Sequence, residues 1–132
     1  MKIATELLVA AIVMGLGDFL WLGYIAKKLY YKEMGQLFRK KFTMLPALLF
    51  YGLYVVGVVL FVVTPALRGG SLAEATGHGA LFGLVAYATY DLTSLAVIDG
   101  FSTKIALVDM LWGTTLTALV ASVTFAVTTM LA

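Results

Sequence analysis

Four stretches of this sequence, residues 4–26, 44–64, 77–98 and 105–130, run with hardly a charge for the length of a membrane crossing. A hydrocarbon core ~30 Å thick requires ~20 apolar residues per helical span, and each stretch meets that length. In lipid every backbone N–H and C=O must be satisfied within the protein, so the expected form of each is an α-helix. Only 12% of the 132 residues are charged, against about 25% in an ordinary soluble domain. The spans and their loops use nearly all of residues 1–132, so the expected architecture is all-α: a single integral membrane four-helix bundle with no soluble domain. The first stretch is too long for a cleaved leader and lacks a small-x-small site after a short apolar run, so it counts as a span. There is no cysteine, hence no disulfide and no thiolate chemistry.

The basic residues are unevenly placed. Lys27, Lys28, Lys32, Arg39, Lys40 and Lys41 crowd the loop after the first span. The positive-inside rule makes that loop cytoplasmic and both termini external. Lys104 then also falls inside, leaving only Lys2 and Arg68 outside. A single orientation, not dual insertion, is therefore expected. Within the loop, Tyr30, Met34, Leu37, Phe38 and Phe42 recur at helical spacing, with Lys28, Lys32, Gln36 and Arg39 on the other side. That pattern predicts a short amphipathic interfacial helix over residues 29–42. Its Lys28, Lys32 and Arg39 would meet anionic headgroups at ~1 kcal/mol each, and the same charges also serve simply to set topology. Lipid is the expected partner, and nucleic acid is not.

Thr43 suits an N-cap for the second span, with Pro46 in the first turn where its missing N–H does no harm; Pro65 and Gly69-Gly70 mark its end. Gly79 and Gly83 form a small-xxx-small pair, a signal for close helix packing. The fourth span is rich in threonine, whose hydroxyls can bond back to their own helix or across to a neighbour.

Asp18, Asp91 and Asp109 lie inside the spans, where insertion scales charge each about 2.5–3.5 kcal/mol at a helix centre. Counted from the cytoplasmic ends at 1.5 Å per residue, their depths are ~12, ~10 and ~6 Å, so they share a layer. No Lys or Arg lies within a span to neutralise them. Two close carboxylates in low dielectric resist ionising together, so a proton or cation site follows, with Asp18 expected to face Asp91. Tyr87, Asp91 and Ser94 fall on one helical face, with Tyr90 and Thr93 flanking. "DFLW" at Asp18–Trp21 recurs as "DMLW" at Asp109–Trp112. An indole N–H of Trp21 or Trp112 can cap a carboxylate on a neighbouring helix, although tryptophan also populates ordinary interfacial belts. His78, the single histidine, sits near the outer end of its span and reads as solvated or hydrogen-bonded rather than as a ligand. No metal site, cofactor or catalytic set is expected.

At "YATYDLTSLAVIDGFSTKIALVDMLWG", "GDFLWLG" and "LPALLFYGLYVVGVVLF" the sequence resembles a bacterial family of predicted membrane proteins, domain of unknown function 2177. The resemblance covers essentially the whole chain and implies a four-span membrane protein with no assigned activity. Family members often carry Asn at the place of Ser94. Tyr90-Asp91, Gly15-Leu16-Gly17-Asp18 and Pro46-Ala47-Leu48 also resemble the short motifs of intramembrane aspartyl proteases. However, their order is rotated, the two Asp spans run parallel, half the expected helices are missing, and Pro-Ala-Leu recurs at Pro65-Ala66-Leu67. In size the chain is similar to small multidrug transporters, but those carry Glu in the first helix and balanced loop charge. The uneven loop charge here opposes antiparallel insertion and leaves a parallel homo-oligomer or a larger complex. The expected function is transport or permeation through a buried Asp cluster holding a proton, cation or polar ligand. The alternative is a non-catalytic accessory or lipid-associated subunit in which the cluster is structural, with an aspartyl hydrolase more distant.

Overall fold

The computed structural model describes residues 2–35 and 44–131, without the side chains of Lys2 and Met34. Among the described residues there is no strand, and four helices are long and apolar enough to cross a membrane: Ile3–Ile25, Met44–Leu67, Leu72–Val97 and Thr103–Leu131. The protein is an all-α membrane helical bundle. Helix α1 (Lys2–Leu20) runs into a wide π turn, Trp21–Ile25, closed by the Ala26 N–H on the Trp21 carbonyl at 2.7 Å. Helix α2 (Lys27–Met34) follows at once. Helix α3 (Met44–Val58), a second π turn (Val59–Val63) and the short α4 (Thr64–Leu67) make the second span. Helices α5 (Leu72–Val97) and α6 (Thr103–Leu131) form a hairpin.

Three boundaries differ from the sequence reading. The second span does not stop at Pro65 but continues to Leu67. Proline cannot donate to the carbonyl four residues back, and the π turn just before it, with Thr64 N–H on the Val59 carbonyl, has already widened the ladder there. The third span begins at Leu72, not 77, because the Ser71 hydroxyl accepts from the Glu74 N–H at 3.2 Å, a Ser-x-x-Glu start that overrides the polar look of residues 72–77. The fourth begins at Thr103 because Ser102 accepts from the Ile105 N–H at 3.1 Å. Gly69 and Gly100, with φ of 114° and 84°, make the turns before α5 and α6 in the left-handed region that favours glycine. The proposed N-cap Thr43 and residues 36–42 of the loop, including Arg39, lie outside the described residues.

Each span buries only a stripe and leaves large apolar side chains such as Leu53, Phe61 and Leu111 on its outer face, where lipid replaces water as the neighbour. On α5 the stripe is small: Ala75, Gly79 and Gly83 are all buried. A Cβ on Gly79 would lie 2.8 Å from the Ala121 Cβ and 2.9 Å from the Thr117 carbonyl, and one on Gly83 would strike the Gly113 carbonyl and Thr117. A Cβ on Gly113 would in turn enter the Tyr87 ring. The α5–α6 seam is thus a backbone-to-backbone contact of the small-xxx-small kind. α1, α3 and the π turn after it close against this hairpin through Ala10, Met14, Val55, Val58, Val59, Val62, Leu116 and Val120, an apolar belt midway along the bundle. One end of the bundle carries α2 and the α5–α6 turn, joined by Ser102 donating to Glu33 at 2.9 Å. At the other end the beginning of α1 meets α4, with Thr64 donating to Glu6 at 3.0 Å.

Candidate functional site

The carboxylate cluster sits toward the α2 end. Asp18, half-buried on α1, is reached from two helices: Trp112 Nε1 on α6 donates to Oδ1 at 2.9 Å, and the Tyr51 hydroxyl on α3 donates to Oδ2. Asp109, half-buried on α6, accepts from the Tyr30 hydroxyl of α2 at 2.8 Å, and Trp21 Nε1 donates to that hydroxyl at 3.4 Å. The two indoles stack with centroids 4.5 Å apart and planes within 4° of parallel. The repeated "D-x-L-W" segments therefore exchange partners. Trp112 binds the aspartate of α1 directly, whereas Trp21 reaches the aspartate of α6 through Tyr30. The wide turn at Trp21–Ile25 and the bend at Ala26 carry α2 to the place where Tyr30 meets α6.

Asp91 is placed differently. It is fully buried at 0% exposure and neither carboxylate oxygen has a hydrogen-bond partner, while Asp109 on the neighbouring helix α6 lies close enough to act on its charge. Two carboxylates can bond each other only when one keeps a proton, since ionised forms only accept. The pair brought together is thus Asp91–Asp109, not the expected Asp18–Asp91. The reason lies in rotation: Asp18 is turned to the α3–α6 side, where Tyr51 and Trp112 occupy its oxygens. Among the described hydrogen bonds none joins Asp18 to Asp91, the two aspartates that the protease-like motifs would bring together.

Tyr87 lies within electrostatic reach of both Asp18 and Asp109, and its ring covers Gly113. Ser94 is buried one turn from Asp91. Tyr90 stands apart: it is 59% exposed and sets its ring edge-to-face against Phe101. Lys28 and Lys32 are exposed on α2, while Tyr30 and Glu33 of the same helix turn toward the bundle. Burial first, and the Asp109 charge after it, raise the Tyr30 phenol above its ordinary value of 10.

Tyr30, Tyr51 and Tyr54 belong to the polar network although the sequence reading gave them no such part. Tyr54 shares a hydrogen bond of 2.7 Å with Thr117. A signal was present: Tyr51 comes seven residues into the second span, ~10 Å deep and level with Asp18. Among the described residues no group of three or more His, Cys, Asp or Glu is placed to hold a metal ion. His78 is exposed on the rim of an apolar groove with Phe61, Leu81 and Phe82.

The family model described as "Predicted membrane protein (DUF2177)" matches residues 3–126. The chain belongs to this family. No curated protein and no solved structure matches it. Membership thus agrees with four apolar spans and brings no activity with it.

Proposed function

We propose that this DUF2177 protein is a small transport or permeation protein whose Asp91–Asp109 pair takes up and releases a proton, or holds a cation in its place. The reading rests on one observation: a fully buried carboxylate, Asp91, has a second carboxylate rather than a donor as its polar neighbour. Ionisable groups kept inside a membrane segment mark proton and ion routes, because lipid makes them costly to retain otherwise. A shared proton satisfies the pair at rest, and its loss leaves two repelling charges that a cation or a rearrangement must relieve. Tyr30 and the stacked indoles close the cluster toward the α2 end; its excess of basic residues supports a cytoplasmic placement of that end, with both termini outside, and the family resemblance supports a bacterial inner membrane. Exposed Lys28 and Lys32 would hold that end against anionic lipid.

The two donors on Asp18 favour a second reading, an accessory or lipid-associated subunit in which the carboxylates only fix helix packing. Infrared spectra and proton uptake in proteoliposomes separate the two. A carboxylic acid band at neutral pH, lost in Asp91→Asn and Asp109→Asn but kept in Asp18→Asn, together with proton-linked flux abolished by the first two, is the expected result. Unchanged spectra and no flux in any variant would transfer the assignment to the accessory role.

A further inference from the structure

A polar pocket lies at the end of the bundle opposite the carboxylate cluster. It has a volume of about 470 Å³ and includes Glu6, Thr64, Arg68 and Thr128, with Ile3 and Leu67 on its apolar side. Glu6 is 3% exposed, and the partner described for it is the Thr64 hydroxyl. Thr128 is 4% exposed and its hydroxyl meets no partner; neither does that of Thr124, one turn deeper. Other hydroxyls on these helices satisfy themselves on the carbonyl four residues back, as Thr89, Thr114, Ser122 and Thr129 do. Thr128 lines the pocket without doing so, which leaves it available to a ligand. Arg68 follows the last residue of the second span and Ile3 begins the first, so the pocket lies at the level where the hydrocarbon gives way to headgroups.

An anionic group at depth, an arginine at the rim, unclaimed hydroxyl capacity and an apolar flank complement one kind of molecule. We infer that the pocket binds a zwitterion carrying a primary ammonium and a phosphate, as an amine-bearing phospholipid headgroup does. The ammonium meets Glu6 and the Thr128 hydroxyl, the phosphate meets Arg68, and the rest of the molecule leaves the pocket past Leu67 toward the outer, lipid-facing side of the bundle. A primary ammonium offers three N–H donors, and charge-assisted bonds to a carboxylate are the strong ones. A trimethylated choline has none to offer.

The purified full chain in nanodiscs, released into native mass spectrometry, should keep phosphatidylethanolamine over phosphatidylcholine by about tenfold, the worth of one charge-assisted bond. Glu6→Gln should erase most of that preference. Arg68→Gln should weaken phosphatidylethanolamine and phosphatidylglycerol alike, since both present a phosphate. Thr128→Val, nearly isosteric, should lower the preference without moving the thermal midpoint, and it decides the matter if Glu6→Gln does not fold. Displacement of the lipid by soluble phosphoethanolamine, with the same sensitivity to Thr128→Val, would assign the site to the free zwitterion; failure to displace would assign it to the lipid. Equal retention of the three lipids, or an undiminished preference in Thr128→Val, would overturn the inference.

Discussion

Asp18 and Asp91 are both aspartates in apolar spans, at similar depths counted along the chain, yet they live under opposite conditions. Asp18 is only half-buried and has a donor for each oxygen. Asp91 is wholly buried and faces another acceptor. The first has both oxygens occupied by donors from two other helices; the second has none. Depth and residue type are alike for the two; what sets them apart is the donors that neighbouring helices bring to one and not to the other.

Replacing each aspartate by asparagine is the most direct way to break the comparison. Asp18→Asn replaces a carboxylate that accepts two bonds by an amide that accepts from Trp112 and donates to the Tyr51 hydroxyl, two neutral bonds in their place, a loss of about 2 kcal/mol in unfolding free energy. Asp91→Asn instead presents an N–H₂ to Asp109 and should leave stability unchanged or raise it. Reversible unfolding in mixed micelles measures both, and equal losses would remove the distinction.

Trp112→Phe sharpens it with a smaller effect. The ring remains against Trp21 while the N–H to Asp18 goes, a cost of about 1 kcal/mol. Trp21→Phe loses only a 3.4 Å bond to a hydroxyl and should cost less, by the same unfolding measurement.

The smallest expected effect belongs to Tyr30→Phe, about 0.5 kcal/mol at neutral pH. Its signature is in the pH profile. The folded phenol keeps its proton above pH 10 and the unfolded one does not, so Tyr30 withdraws stability as pH rises past 10. Tyr30→Phe should flatten that decline, which unfolding curves between pH 9 and 11 would detect.

The spans, the depth of the aspartates and the glycine pair on α5 were legible because they depend on composition and on spacing within one helix. Their partners were not. α3 and α5 hardly segregate polar from apolar residues around the helix, so periodicity gives no phase from which to learn that Asp18 turns to Tyr51 and Asp91 to Asp109. Tyr51 passed as an ordinary aromatic residue of an apolar run and Tyr30 as part of an interfacial helix, although each brings its hydroxyl to an aspartate. Glu6 escaped notice because it stands near the edge of its span, where a carboxylate looks solvated, and only the packing of α4 against α1 buries it. Local signals that were available and outvoted, Ser71-x-x-Glu74 above all, account for the displaced helix starts.

The bonds around the cluster join residues far apart along the chain: 94 positions separate Asp18 from Trp112 and 79 separate Tyr30 from Asp109. A chain inserted into the membrane from its N-terminus must therefore carry Asp18 through most of its synthesis with only Tyr51, 33 positions on, as partner. The last helix completes the coordination of the first. Until it arrives the nascent protein exposes an incompletely bonded carboxylate, which makes correct assembly chemically distinguishable from an aborted one by the machinery that surveys membrane insertion.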